Sequence, residues 1–279
     1  MLKTRVITAL ALLAVLLPVL YFRNVLAFAV VATAFFFAAI WESNRLFRLT
    51  KLASWLAPLA AGAVFALAAG RIDAVGAYWF GAAVLLWLLR FVPGLATGLP
   101  ALGTSSNALL CASYGVAILA CFLAMIALFD HSSIYFLSVM ALVWVADIGA
   151  YFCGKAFGKR KLALTISPGK SWEGAIGGGL CVLVLSSLLI VFGASLADSA
   201  LADTFAARLQ QRFGWAALVA VLLLTVAASV VGDLVESQLK RRAGMKDSSA
   251  LLPGHGGVLD RIDALIPVLP LAALLSRYL

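Results

Sequence analysis

Long apolar runs alternate with short polar segments along the chain, and this pattern predicts membrane-spanning helices. An α-helix needs about 20 mostly apolar residues to cross the hydrocarbon core of a bilayer. The runs that come close to this length cover residues 6–22, 25–40, 52–69, 76–92, 107–129, 134–152, 175–196, 214–232 and 262–279. The pattern therefore predicts an all-α polytopic membrane protein with about nine transmembrane helices.

Composition supports this fold class. Of the 279 residues, 64% are hydrophobic and 12% are charged, whereas soluble domains average roughly 45–50% apolar and about 25% charged residues. These values exclude an ordinary soluble enzyme, a disordered chain and a nucleic-acid-binding module. The formal net charge of +9 is therefore attributed to basic residues at the membrane surface, where they contact anionic lipid head groups.

The distribution of basic residues predicts the orientation of the helices. With a cytoplasmic N-terminus, the predicted spans place most Lys and Arg residues on the cytoplasmic side, in agreement with the positive-inside rule. The basic residues predicted on the outer side are Arg23, Arg71, Arg208, Arg212 and Arg277. A signal peptide over residues 1–29 is the alternative, but its apolar stretch is longer than a signal peptide requires and further spans follow.

Most of the polar chemistry falls in the second half of the chain. We divide the sequence into residues 1–130, with about five spans, and residues 131–279, a catalytic region with cytoplasmic loops at 153–174 and 233–261. Asp147 lies within an apolar run of this region. A carboxylate at membrane depth usually faces a cavity, a cation or a substrate path, although a hydrogen bond to a neighbouring helix is the alternative.

The segment 153–174 has the composition of a phosphate-binding loop. It combines five basic residues, among them Lys170, with several glycines and with the hydroxyls of Ser167 and Ser171. Glycines let backbone N–H groups approach a phosphate, and the N-terminus of a following helix adds a favourable dipole. A basic loop that only contacts the membrane surface fits this segment equally well.

The segment 232–263 carries the densest set of charged residues. If the eighth span continues as a helix, Asp233, Glu236 and Lys240 share one face, and the Pro253–Gly257 turn brings Asp260 back towards them. Magnesium prefers one or two carboxylates together with water and substrate phosphates. A structural network of salt bridges is the alternative interpretation.

Residues 143–263 resemble the phosphatidate cytidylyltransferases, also called CDP-diacylglycerol synthases. The matching positions are Asp147-x-Gly149-Ala150-Tyr151, Ser167-Pro168-x-Lys170-Ser171-x-Glu173-Gly174, Ser237-x-x-Lys240-Arg241, Lys246-Asp247, Pro253-Gly254-His255-Gly256-Gly257 and Asp260-Arg261-x-Asp263. The sequence departs from the family at Gly169, Ser171 and Leu164, where Lys, Thr and Pro are frequent. The missing cation at position 169 puts one phosphate contact in doubt.

The resemblance implies the transfer of the cytidylyl group of CTP to phosphatidic acid, giving CDP-diacylglycerol and pyrophosphate. The lipid phosphate would attack the α-phosphate in line, with metal assistance. The resemblance also implies Mg²⁺ as cofactor, with a second cation such as K⁺ left open, and a homodimer in a bacterial-type inner membrane. The active site would then lie in a cavity facing the cytoplasm, and nucleic acid is not an expected partner.

The resemblance also assigns roles by position. Asp233, Lys240 and Asp260 are the expected catalytic residues, and the two aspartates are the expected metal ligands. The expected substrate-binding residues are Asp147, Ser167, Lys170, Ser171, Glu173, Arg241, Lys246, His255 and Arg261. Ser237, Asp247 and Asp263 are expected to orient these groups.

Two other functions compete with this interpretation. A transporter would explain the many spans and Asp147, but it would not explain a dense Gly/Lys/Asp loop outside the membrane core, and no inverted repeat is visible. A transferase of the CDP-alcohol phosphatidyltransferase class would carry a different acidic motif. The segments before residue 175 are also compatible with a distant, dolichol-kinase-like relative. The signature in residues 237–263 argues against that class.

Overall fold

The computed structural model describes residues 2–193 and 200–279, which form eleven α-helices and one short hairpin. The helices before the hairpin are α1 (Leu2–Tyr21), α2 (Val25–Leu46), α3 (Lys51–Ala69), α4 (Ile72–Leu86), α5 (Val92–Thr97), α6 (Ser105–His131) and α7 (Ser133–Phe157). The hairpin consists of β1 (Lys161–Ala163) and β2 (Ser167–Ser171). It is followed by α8 (Trp172–Gly193), α9 (Phe205–Ala243), α10 (Leu259–Ile262) and α11 (Leu265–Ser276).

The long helices agree with the all-α polytopic fold predicted from hydropathy. Seven segments of the described chain are long and apolar enough to cross a membrane; α4, the π-helical turn Trp87–Phe91 and α5 together form one of them. Shorter apolar helices, Val6–Tyr21 and Leu265–Ser276, lie where the first and ninth spans were predicted. The end of the seventh predicted span, residues 194–196, lies outside the described residues.

Helix α6 forms the centre of the bundle. It packs against α2, α3, α4, α7 and α11, and most of its second half is buried. Phenylalanine side chains fill these contacts: Phe28 stacks on Phe129 with ring centroids 4.1 Å apart, and Phe36 packs edge-on against Phe122 at 5.6 Å. The other long helices each keep an exposed apolar face, as expected of helices in contact with lipid.

Helices α7 and α8 pack along a seam of small residues. A Cβ atom added at Gly149 would lie 2.9 Å from Cys181 Sγ, and one added at Gly178 would lie 2.5 Å from the carbonyl oxygen of Ala146. Glycine at these positions lets the two helix backbones approach more closely than any other residue would allow. The seam fixes the start of α8 against the second half of α7.

Hydrogen bonds join the interhelical connections into two groups at opposite ends of the bundle. At one end, Arg23 Nη2 donates to the carbonyl oxygen of His131, and Asp203 accepts from Ser132 Oγ and Arg208 Nε. The connections at this end are those predicted to be external. The connections predicted to be cytoplasmic meet at the other end, where hydrogen bonds run from Thr8 to Pro253, Arg45 to Ser248, Asn107 to Phe47 and Arg242 to Pro100.

The two polar segments predicted as cytoplasmic loops contain regular secondary structure. Residues 153–174 include the end of α7, the hairpin and the start of α8, and residues 233–261 begin with three further turns of α9. Helix α9 bends at Gly214, whose φ of 80° lies in the left-handed region, and this bend coincides with the start of the eighth predicted span. The irregular part of the second segment is therefore confined to residues 244–258.

Candidate active site

The hairpin between α7 and α8 is held in place by polar contacts at its base. Its strands are antiparallel, with Lys161 opposite Ser171, and the N–H of Trp172 donates to the carbonyl oxygen of Arg160 at 2.9 Å. The Glu173 carboxylate accepts from the N–H groups of Lys159 and Arg160 at 3.1 Å and from Arg160 Nε at 3.1 Å. Glu173 thus fastens the hairpin to α8, and its predicted contact with substrate stays a prediction.

A cavity of about 560 Å³ lies between the hairpin, α7, α8 and α9. Its apolar wall includes Ala146, Ala150, Val226 and Val230. Its polar lining includes Asp147, Ser167, Lys170, Ser171 and Asp233, together with Tyr151 and Lys155. The structure therefore brings together five residues from three separate parts of the sequence that the motif pattern had grouped as one site.

Lys170 and Asp233 form the ion pair that connects the hairpin to α9. Lys170 Nζ lies 2.6 Å from Asp233 Oδ2, and both side chains are about one-third exposed (27% and 33%). Ser237, one helical turn after Asp233, donates to Asp233 Oδ1 at 3.2 Å. This hydrogen bond matches the orienting role expected of Ser237.

Asp260 is the most fully hydrogen-bonded carboxylate of the predicted catalytic set. Its side chain is 4% exposed and accepts from Lys240 Nζ at 2.7 Å, from the N–H and Oγ of Ser248 at 2.9 Å each, and from the N–H of Gly257 at 2.8 Å. Burial opposes ionisation, but these donors outweigh it and lower the pKa of Asp260. The carboxylate is therefore charged at neutral pH.

Lys240 joins two carboxylates. Besides Asp260, its Nζ forms an ion pair with Glu236, one turn earlier on α9. The Glu236 side chain is completely buried, and its i, i+4 spacing from Lys240 was the sequence signal for this pair. Lys240 thus balances the charge of a buried acidic pair, in addition to the contact with phosphate expected of it.

Sequence analysis missed Glu42, a buried carboxylate at the end of α2. Its side chain accepts hydrogen bonds from Ser248, Ser249, Val258 and Leu259. A carboxylate at the end of an apolar helix is a signal of function or of a partner, but the second predicted span ended at residue 40, two positions before Glu42. The partners were not predictable either, because they lie more than 200 positions away.

The other predicted site residues lie on or near segment 244–263 and do not line the cavity. Arg241, Lys246, Asp247 and Arg261 are exposed. His255 is half-buried, and its Nδ1 atom is buried without a hydrogen-bond partner. Asp263 Oδ1 accepts from the N–H of Ala264 at 2.7 Å. Their roles towards substrate stay predictions.

The two expected metal ligands differ in how well their surroundings fit Mg²⁺. Asp233 lines the cavity with a partly exposed carboxylate, which suits an ion that keeps several waters and binds substrate phosphates. Both oxygens of Asp260 already accept hydrogen bonds, so direct ligation there requires exchange of at least one donor. Among residues 2–193 and 200–279, no group of three or more His, Cys, Asp or Glu side chains is placed to hold a metal.

Comparison with known proteins gives consistent matches. The model of the cytidylyltransferase family matches residues 3–279. A phosphatidate cytidylyltransferase of Haemophilus influenzae is 37% identical over 299 residues, which cover 97% of this chain and 96% of the relative. Shorter matches to enzymes of the same name cover 50% of this chain: one from Pseudomonas aeruginosa is 50% identical over 46% of its length, and one from Brucella suis is 44% identical over 44% of its length.

Proposed function

The chain belongs to the cytidylyltransferase family, and on that premise we propose that it transfers the cytidylyl group of CTP to phosphatidic acid. The products are CDP-diacylglycerol and pyrophosphate. One observation carries this proposal: the cavity combines lysine, hydroxyl and carboxylate groups with an apolar wall formed by spanning helices. Such a site can accept a triphosphate from water beside a phosphate that is attached to membrane-embedded acyl chains.

The proposed reaction is an in-line displacement at phosphorus. An oxygen of the lipid phosphate forms a bond to the α-phosphorus of CTP, and the bond from that phosphorus to the bridging β-oxygen breaks. The electron pair of the broken bond leaves with pyrophosphate. The attacking oxygen is already anionic at neutral pH, so the protein has to position two polyanions and offset their charge rather than remove a proton.

The polar residues of the cavity suit this task. Lys170 lies at the cavity wall and supplies positive charge to a phosphate, and Ser167 and Ser171 present hydroxyls from the same strand. Asp147 faces the cavity from α7 and is proposed to contact the nucleotide. Lys240 on α9 donates to Asp260 and is proposed to offset negative charge there.

We propose Mg²⁺ as the cofactor, held by Asp233 and, after exchange of a donor, by Asp260. When bound, the ion stabilises negative charge on the phosphate oxygens and the leaving group. The ion pairs with Lys170 and Lys240 orient the two carboxylates. A second cation such as K⁺ belongs to the same proposal.

The proposal extends to location and assembly. Most Lys and Arg residues belong to the connections at the end that carries segment 244–258, so we place this end and the cavity at the cytoplasmic side of a bacterial-type inner membrane. The N-terminus lies on the same side, because Thr8 Oγ1 donates to the carbonyl oxygen of Pro253. We also propose a homodimer, in line with the family resemblance.

A turnover assay on protein purified in detergent tests the function. Phosphatidic acid, magnesium and radiolabelled CTP are supplied, and label entering the lipid phase is measured, with ATP, GTP and UTP as controls. We expect magnesium-dependent labelling that is selective for CTP. Absence of labelling with every nucleotide, in protein shown to be folded, contradicts the enzyme proposal.

Asp260→Asn links this activity to the proposed site. We expect the variant to insert and purify but to lose turnover, because the neutral side chain no longer pairs with Lys240. Asp130→Asn, which changes an exposed carboxylate at the opposite end of the bundle, should keep wild-type turnover. Near-wild-type activity of Asp260→Asn removes Asp260 from the mechanism.

A further inference from the structure

Glu42 is a completely buried carboxylate whose hydrogen-bond donors all belong to one distant segment. Its side chain is 0% exposed. Oε1 accepts from Ser249 Oγ at 2.5 Å and from the N–H of Val258 at 3.1 Å, and Oε2 accepts from the N–H of Leu259 at 2.7 Å. Burying a carboxylate is costly unless it is hydrogen-bonded, so this environment of Glu42 exists only while segment 248–259 is in place.

The same segment determines the position of Asp260. Val258 and Leu259 directly precede it, and the N–H of Gly257 donates to its Oδ2 atom. Ser248 Oγ lies within hydrogen-bond distance of both carboxylates, 3.2 Å from Glu42 Oε2 and 2.9 Å from Asp260 Oδ2. Glu42 and Asp260 therefore both accept hydrogen bonds from one short piece of backbone.

Space around this backbone is restricted. A Cβ atom added at Gly257 would overlap Ser248 Oγ and the Glu42 carboxylate. Two arginines at the end of α2 add further contacts: Arg45 Nη1 donates to the carbonyl oxygen of Ser248 at 3.1 Å, and Arg48 Nη2 donates to that of Ala243 at 3.0 Å. Segment 243–259 is thus attached to α2 near both of its ends.

We propose that Glu42 is a positioning residue, which holds segment 248–259 so that Asp260 faces Lys240. The expected loss of turnover rests on the proposed function. The expected loosening of segment 248–259 rests on the hydrogen bonds alone. Displacement of a reacting or metal-binding group by about 1 Å can cost roughly 100-fold in rate. The N-terminal half of the chain would then contribute a residue to the geometry of the site.

Glu42→Gln tests the proposal with little change in side-chain volume. A carboxylate only accepts hydrogen bonds, whereas the amide places an NH₂ group against one set of donors. Ser43→Ala is the matched control, because Ser43 is also buried on α2 and its side chain makes no hydrogen bond to segment 248–259 within the described chain. Both variants would be compared with the wild type by hydrogen exchange and by steady-state kinetics.

We expect Glu42→Gln to raise amide exchange in peptides covering residues 245–262 while peptides from α6 keep their protection. The value of kcat should fall by at least about tenfold, with KM for CTP changed less than twofold. Unchanged exchange in residues 245–262 overturns the proposal. A kcat within twofold of the Ser43→Ala value overturns it as well.

A double variant separates positioning from general loss of stability. If Glu42 acts through the Ser248 contact, Glu42→Gln combined with Ser248→Ala should lower kcat little more than the more damaging single change. Fully additive losses contradict the inference. If Glu42→Gln raises amide exchange throughout the chain, Arg45→Met is the second variant, because it removes one hydrogen bond to Ser248 and leaves Glu42 intact. A local rise in amide exchange in residues 245–259 of this variant supports the proposal. No rise in exchange there overturns it.

The exchange measurement keeps the two proposals apart. If the wild type fails to use CTP, the proposed function fails, whereas exchange at Val258 and Leu259 still decides whether Glu42 holds the segment. If the wild type is active and Glu42→Gln matches Ser43→Ala in both measurements, the function stands and this inference fails.

Discussion

Lys170 and Asp233 illustrate how single residues connect distant parts of this chain. The lysine is on the hairpin, the aspartate is on α9, and 2.6 Å separates their charged atoms. Neither residue is fully buried, so the pair has access to water and can exchange its partners for phosphate oxygens. At the residue scale, Lys170 and Asp233 therefore neutralise each other in the cavity before substrate arrives.

Replacement of Lys170 with Met should lower kcat by about 100- to 1,000-fold, which is the range found when one preorganised group that stabilises developing charge is removed. The midpoint of thermal unfolding should change little, because the ion pair is partly exposed. Lys161→Met, at an exposed position of the same hairpin that does not line the cavity, is the control. Equal turnover of the two variants would remove Lys170 from the proposed mechanism.

At this scale, the sequence predicted some of the residues that meet but not all of their partners. Asp147, Ser167, Lys170, Ser171 and Asp233 were grouped by motif, and they line one cavity. Glu173 belonged to the same motif, yet its carboxylate accepts hydrogen bonds from the base of the hairpin. Glu173 lies in the first turn of α8, and its partners Lys159 and Arg160 reach it only because the hairpin folds back onto the start of that helix, which the sequence pattern does not encode.

At the scale of secondary-structure elements, the closest packing is between α7 and α8. Gly178→Ala should lower the free energy of unfolding by about 1–3 kcal/mol, because the added methyl group is forced against the carbonyl oxygen of Ala146. Gly179→Ala, one position on, is the matched control. Its Cβ atom would lie 3.6 Å from Leu223 Cδ2, an ordinary contact, and alanine favours a helix over glycine by up to about 1 kcal/mol.

Thermal unfolding in detergent measures both variants. Gly178→Ala should have the lower midpoint, and Gly179→Ala should match or exceed the wild type. If the two variants unfold at the same temperature, close packing of α7 against α8 does not require glycine at position 178.

Asp203 joins the start of α7 to the start of α9 at the end opposite the cavity. Burial opposes its ionisation, but the Ser132 hydroxyl, His131 and Arg208 outweigh this effect and lower the pKa of Asp203. A lowered carboxyl pKa stabilises the folded state above the ordinary value of about 3.9, and this stabilisation is lost as the pH falls through the lower folded-state pKa.

We therefore expect Asp203→Asn to destabilise the protein by about 1–3 kcal/mol at neutral pH. The difference from the wild type should shrink as the pH falls below about pH 4. Unfolding midpoints measured across this range, with Asp130→Asn as an exposed control, provide the test. A difference that grows below about pH 4 would contradict the assigned hydrogen bonds.

Hydropathy was sufficient to predict most helices but not the structure between them. Apolar runs near 20 residues leave little choice other than a helix in a membrane, because every backbone group must be hydrogen-bonded internally. The hairpin follows no such rule: its second strand, Ser167–Ser171, contains proline and glycine, which are depleted in strands. Its strands pair because α7 and α8 bring their ends together, which is a tertiary effect.

For the whole molecule, the two groups of connections predict a defined topology. We expect an impermeant maleimide to label Arg71→Cys from the outer side of the inner membrane, and to label Lys159→Cys only after the membrane is permeabilised. Both positions are exposed, and the four native cysteines would be replaced beforehand. Labelling with the opposite pattern would reverse the proposed orientation, and equal labelling without permeabilisation would exclude it.

The glycine seam also determines where the molecule can open. Helices α7 and α8, together with the hairpin between them, form one wall of the cavity, and they cannot slide or separate without losing contacts that only glycine permits. The facing wall belongs to α9, which meets the hairpin through an exchangeable ion pair. If the cavity widens, we therefore expect α9 to move against a rigid α7–α8 unit.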